Sequence, residues 1–250
     1  MRKYSEVTKE GRLTVITINR PEVMNALHPP ANIELSEAFD NFVSDPDQWV
    51  AIITGAGDKA FCAGNDLKYQ ASGGDMKGQP SSGFGGITSR FDNTKPIIAA
   101  VNGVAMGGGF EIALACDLIV AAENAVFSLP EPRVGLAALG GGIHRLPREI
   151  GIKKAMGMLL TGRRVSAQEG KDLGFVNEVS RKNSVLDTAK DWAGLILECA
   201  PLSVRASKEA AMLGMNASGI EEAIKSRYKQ VQLMQKSSDF VEGPRAFSEK

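Results

Sequence analysis

Residues 96–122, PIIAAVNGVAMGGGFEIALACDLIVAA, decide the fold. This is the most apolar part of the chain, and its length suggests a membrane span. Asn102, Glu111, Asp117 and a cluster of glycines interrupt it, however, and a carboxylate inside a bilayer is costly. A buried soluble core is the better reading. Residues 97–101 and 118–122 are continuous apolar runs, as expected of strands covered on both faces. Between them, three consecutive glycines lead into a short helical run, FEIALACD.

The same style extends on both sides of this stretch. Residues 13–19 (LTVITIN) and 49–54 (WVAIIT) read as strands. Residues 32–43 place Ile33, Leu35, Phe39, Phe42 and Val43 near one helical stripe, ended by Pro46. Strands alternating with helices predict an α/β fold. Beyond residue 183 the strand signal stops. Residues 184–199 read as a helix, with Ser184 and Asp187 in capping-box spacing. Pro201 opens a second helix. Residues 220–235 form a third, with Ile220, Ala223, Ile224, Val231 and Met234 on one side. The expected division is a core over residues 1–182 and a helical region over 183–250, which packs on its own core or on a neighbouring subunit. Residues 73–86 (GGDMKGQPSSGFGG) read as a mobile loop.

Composition excludes several classes of function. The 250 residues carry 29 basic and 29 acidic side chains, so no phosphate backbone is neutralised and no nucleic-acid partner is expected. The polar N-terminus MRKYSEVTKE has no apolar export segment, no membrane partner is expected, and three sparse cysteines suit a reducing, cytoplasmic setting. There is no P-loop, no G-x-G-x-x-G and no G-x-S-x-G. Two histidines, His28 and His144, supply neither a triad nor a metal set, so no metal is expected. Cys62 reads as a small buried residue.

Three segments remain: FCAGNDL at 61–67, NGVAMGGGFE at 102–111, and FSLPEP at 127–132, followed by glycines at 140–142. Their small residues let a ligand approach the backbone, and the glycines before Glu111 put bare N–H groups at a helix start. Glu111 has apolar neighbours, and Glu131 stands between two prolines. Buried acids exchange protons near neutrality. Bare amides beside two such acids suit proton chemistry α to a carbonyl, with the amides holding an enolate oxyanion.

The strings FCAGNDL, KPIIAAVNGVAMGGGFEIALACDLIVAAENAVFSLPE and LTGRRVSAQEGKDLGFVNEV resemble the crotonase, or enoyl-CoA hydratase/isomerase, superfamily almost end to end. The resemblance implies a spiral of ββα units and a C-terminal helical region that builds homotrimers, often paired into hexamers. It implies an acyl-CoA thioester substrate, with coenzyme A as part of the substrate and no separate cofactor. The oxyanion hole falls on the amides of Ala63 and Gly108. Glu111 would activate water for attack at C3 of a trans-2-enoyl-CoA, and Glu131 would deliver a proton to C2. Ala26, Ala63, Gly64, Asn65, Asp66, Leu67 and Gly108 fall on the CoA-binding segments, with Asp66 shaping its loop. Lys250 matches a lysine that in some relatives reaches the CoA phosphates of an adjacent subunit. ALGGGIHRL departs from the family's P-G-x-G-G-T pattern at Leu139, Ile143 and His144, next to Glu131, where the resemblance places the acyl group. The chain stops at Lys250, where relatives commonly run on by several basic residues. Enoyl-CoA hydration is the reading, with carnitinyl-CoA-type dehydration or Δ3-Δ2 isomerisation as the alternative. A non-catalytic acyl-CoA-binding or RNA-binding member is the alternative of another class.

Overall fold

The computed structural model describes residues 2–75 and 77–249. Its strands, in chain order, are β1 (Ser5–Glu10), β2 (Leu13–Ile18), β3 (Val50–Gly55), β4 (Ala60–Cys62), β5 (Ile97–Val101), β6 (Val104–Met106), β7 (Leu118–Ala122), β8 (Val126–Ser128), β9 (Val165–Ser166) and β10 (Glu178–Ser180). They form a six-stranded sheet ordered β1-β2-β3-β5-β7-β10 and a four-stranded sheet ordered β4-β6-β8-β9. Successive strand pairs β3–β4, β5–β6 and β7–β8 each give one strand to each sheet. Their pairing is parallel within each sheet. The chain therefore winds as a spiral of ββα turns, as the α/β expectation and the resemblance required.

The helices are α1 (Pro29–Ser44), α2 (Leu67–Ala71), α3 (Gly108–Leu114), α4 (Gly142–Ile150), α5 (Ile152–Leu159), α6 (Ala167–Leu173), α7 (Val185–Leu197), α8 (Pro201–Gly214), α9 (Ile220–Lys225), α10 (Lys229–Gln235) and α11 (Asp239–Ser248). Alternate residues of the central strands face opposite layers. Ala51, Ile53, Ile97, Ala99, Ile119 and Ala121 join the core between the sheets. Val50, Ile52, Ile98, Ala100, Val120 and Ala122 pack under α7, against Val185, Ala189 and Ala193. This double burial is what the unbroken apolar runs encode. It also means that α7, although beyond residue 182, covers the core sheet. Among the described residues, no helix is long and apolar enough to cross a membrane.

Four local expectations need correction. Helix α1 begins at Pro29, three positions before the apolar stripe, because His28 accepts the Ala31 amide at 3.2 Å and Pro29 opens the first turn. Ser184 makes no side-chain cap; a 3-10 turn over Lys182–Ser184 leads into α7 instead. The single helix expected over 220–235 is two, α9 and α10. Ser226 is extended there, and the Tyr228 hydroxyl donates to the Ala223 carbonyl at 2.7 Å. The end of the loop over 73–86 is packed into the core side of the structure. Gly85 and Gly86 are buried, and the Gly85 amide donates to Asn32 at 2.7 Å.

Candidate active site

The two short segments following β4 and β6 approach each other at Gly64. A side chain there would come 2.7 Å from the Met106 carbonyl and 3.2 Å from the Gly108 nitrogen, and Gly64 takes φ +90°. Only glycine fits this approach. The sequence read these small residues as room for a ligand; they are also room for one arm of the site against the other. Gly107 turns the second arm at φ +53°, and Gly108 opens α3. Among the described residues the Gly108 amide has no acceptor.

The expectation for Ala63 is overturned. Its amide donates to the Met24 carbonyl at 3.0 Å, so it cannot also hold an oxyanion. The physical reason is an upstream pairing. Leu27 donates to the Gly64 carbonyl at 2.8 Å and accepts from Asp66 at 2.9 Å. That parallel bridge turns the intervening Asn65 amide away from Leu27, and it meets no acceptor among the described residues. The available amides are thus those of Asn65 and Gly108.

Ala26 directly precedes Leu27 of this bridge. The Ala26 carbonyl accepts from Arg20. Asp66 is committed to structure: it pairs with Arg20 at 3.0 Å and accepts the Tyr69 amide at 3.0 Å at the start of α2. Burial opposes its ionisation, but the Tyr69 amide and the Arg20 guanidinium outweigh that and hold it below the usual carboxylate range. Leu67 is exposed. Lys250 lies outside the described residues.

Two asparagines that the sequence reading missed hold the arms. Asn25 donates to the Ala60 and Ala56 carbonyls at 2.7 and 3.0 Å. Asn102 accepts from the Gly55 amide at 3.1 Å and donates to the Gly55 and Gly57 carbonyls at 2.9 and 2.8 Å. The signal for Asn102 was present: it is a polar residue within the most apolar stretch, directly after a buried strand.

Glu111 lies one turn into α3 and is 4% exposed. Its Oε1 accepts the Gly142 amide at 2.9 Å. Burial pushes its pKa up to about 7, with the neighbouring Glu131 adding to the rise; the Gly142 amide and Arg145 pull the other way. Glu131 opens a 3-10 turn over Glu131–Val134. Its Oε1 lies against Gly107, and its Oε2 is buried with no partner. Burial raises its pKa too. Glu131 therefore raises the pKa of Glu111 beside the Gly107–Gly108 arm. An orphaned carboxylate oxygen in such a place suits a proton or a reacting water.

The other nucleophile and base candidates are idle. Burial pushes the Cys62 thiol up to about 12. His28 caps α1, and His144 is exposed on α4. Among the described residues no group of three or more His, Cys, Asp or Glu is arranged to hold a metal ion.

Comparison with known proteins identifies the family. The enoyl-CoA hydratase/isomerase family model matches residues 8–250. A carnitinyl-CoA dehydratase of Salmonella enteritidis is 42% identical over 257 residues, covering 100% of this chain and 97% of its own. A carnitinyl-CoA dehydratase structure from Mycobacterium avium 104 is 42% identical with a TM-score of 0.81, covering 98% of this chain and 97% of that one. An enoyl-CoA hydratase structure from Mycobacterium tuberculosis H37Rv is 37% identical with a TM-score of 0.90, covering 98% of this chain and 96% of that one. The matched region takes in both acids and both loops that carry the unpartnered amides, and the chain belongs to the enoyl-CoA hydratase/isomerase, or crotonase, family as an enzyme of its hydratase–dehydratase kind.

Proposed function

We propose that the protein catalyses reversible elimination of water from a 3-hydroxyacyl-CoA thioester, with carnitinyl-CoA as the substrate. One observation carries the chemistry: Glu111 and Glu131, both above the ordinary carboxylate pKa, share a buried site beside the unpartnered amide of Gly108. The choice of carnitinyl-CoA draws its support from the relatives 42% identical over the whole chain. The reading first favoured from sequence, hydration of a simple trans-2-enoyl-CoA, runs the same step in reverse. It is favoured by the hydratase structure of TM-score 0.90.

In this reading the thioester carbonyl oxygen accepts from the Asn65 and Gly108 amides. Ionised Glu131 takes the proton from C2, and the electron pair moves onto the thioester oxygen. Each amide is worth about 2.7–4 kcal/mol to that developing charge. Protonated Glu111 then gives its proton to the C3 hydroxyl, which leaves as water, and the C2=C3 bond forms. In the hydration direction Glu111 takes a proton from water as it adds at C3, and Glu131 returns one to C2. The acids exchange one proton each per turnover, so the active pair carries a single proton.

We also propose that copies of this chain associate through α8–α11. Only Ala206 is buried in these helices, while Met212, Leu213, Ile224, Val241 and Phe247 are exposed. A homotrimer, or a pair of trimers, would cover this apolar surface. The substrate test is direct. Purified protein is mixed in turn with carnitinyl-CoA, its dehydrated product and crotonyl-CoA, and gain or loss of the conjugated thioester absorbance is followed. Interconversion of the carnitinyl pair at a higher kcat/KM than crotonyl-CoA is expected. Turnover of crotonyl-CoA alone would replace the carnitinyl assignment with the simple hydratase.

A further inference from the structure

Three consecutive glycines, Gly140–Gly142, pass beside Glu111 and Arg145. A side chain at Gly140 would come 2.5 Å from Glu111 Oε2, and one at Gly142 would come 3.2 Å from Glu111 Cγ. The Gly142 amide donates to Glu111 Oε1 at 2.9 Å. Gly141 takes φ +112°, and a side chain there would strike Arg145 Nη1. Bare backbone thus wraps the Glu111 carboxylate. Glycine runs lose the most conformational entropy on ordering, so this cradle needs an anchor. Arg145, in the first turn of α4, supplies one. Its Nη2 donates to the Thr88 carbonyl at 2.8 Å and its Nη1 to the Gly140 carbonyl at 3.4 Å. The guanidinium also lies over Phe91, 5.7 Å from the ring centre.

We propose that Arg145 is a positioning residue of the reaction: by tying Gly140 to Thr88 it fixes the glycine cradle around Glu111 and sets a half-buried positive charge behind that carboxylate. Its catalytic consequence rests on the hydro-lyase reading above. The groups that act on Glu111 are Glu131, from the turn after β8, Arg145, from α4, and the Gly140 and Gly142 amides. Glu149, from the last turn of α4, and Cys116, just beyond α3, face Arg145 in turn. Burial keeps the Cys116 thiol neutral. Burial and Glu131 make Glu111 harder to ionise, while Arg145 makes it easier. Without the guanidinium, Glu111 holds its proton to higher pH, and hydration, which needs ionised Glu111, loses rate on the acid side.

The test compares the wild type with Arg145→Met and Arg145→Lys. The Glu111 titration is read without catalysis, from the pH dependence of the stability difference between each protein and its Glu111→Gln counterpart. Arg145→Met is expected to move that titration up by about one pH unit. The acid limb of kcat for hydration should move with it, while KM changes less than about twofold, as for an interaction made at the acid rather than in binding. Arg145→Lys keeps the charge and loses the two-pronged anchor. It should leave the titration near its wild-type position and lower kcat several-fold. A Glu111 titration unmoved in Arg145→Met, or an unchanged kcat in Arg145→Lys, overturns the proposal. A shifted titration in a protein that turns over no thioester supports the placement of Arg145 and overturns the hydro-lyase reading instead.

Discussion

Glu111 concentrates the physics of the site in one side chain. Its pKa of about 7 stands above the ordinary carboxyl value of 4.5, so the fold favours its protonated form. The associated stability is fully present below about pH 4 and is lost as pH rises through 7. At pH 8 the buried charge costs about 3 kcal/mol, from roughly 1.4 kcal/mol per pH unit. Glu111→Gln should therefore be more stable than wild type at pH 8 by an amount of that order, and no more stable at pH 4. Urea unfolding at the two pH values measures this, and an equal difference at both would contradict it. Both glutamates were legible in the sequence, because an acid among apolar residues and an acid between prolines each stand out. The oxyanion donor was not. Which amide of Ala63-Gly64-Asn65 stays free depends on pairing with Met24–Leu27, a segment whose position only the folded chain fixes. Local composition carries no mark of it.

At the level of elements, the site is made where β4 and β6 end. Each of these short strands follows a long buried strand of the other sheet, and Asn25 and Asn102 stitch the intervening turns. Gly64 is the point of closest approach. Gly64→Ala adds a methyl group that meets Met106 and Gly108 at a φ of +90°. A strained, crowded backbone of this kind costs about 1–3 kcal/mol. A displacement near 1 Å at the Gly108 arm lowers turnover by about a hundredfold. Thermal unfolding and kcat together check both, and a variant with wild-type values for each would show that the approach is not needed. The buried strands were read correctly because double burial leaves an unbroken apolar run. The helix over 220–235 was not, because its apolar positions continue across a break where the Ser226 and Tyr228 hydroxyls donate to the Glu222 and Ala223 carbonyls. The end of the glycine-rich segment was also misread. Gly85 and Gly86 are there to pass close to Ile112 and the Ser36 backbone, and composition cannot tell such glycines from those of a surface loop.

For the whole molecule, the change from mixed strands and helices to helices alone near residue 183 was legible in the periodicity, whereas the packing of α7 on the core sheet was not. How the helical region is covered was not, since its apolar residues find few partners within one chain. Sedimentation velocity should show a species three or six times the 26.6 kDa chain mass. A monomer at micromolar concentration would contradict the proposed self-association. In the proposed reaction, convergence of two acids and two free amides on one thioester is the decisive feature. It is tested most directly by the turnover of the preferred thioester by wild type, Glu111→Gln and Glu131→Gln, with binding of a CoA thioester measured alongside. Each variant should lose about 10²–10⁴-fold in kcat, the usual worth of a positioned acid or base, and still bind. Turnover in Glu131→Gln equal to wild type, or none in wild type with any thioester, would contradict the account.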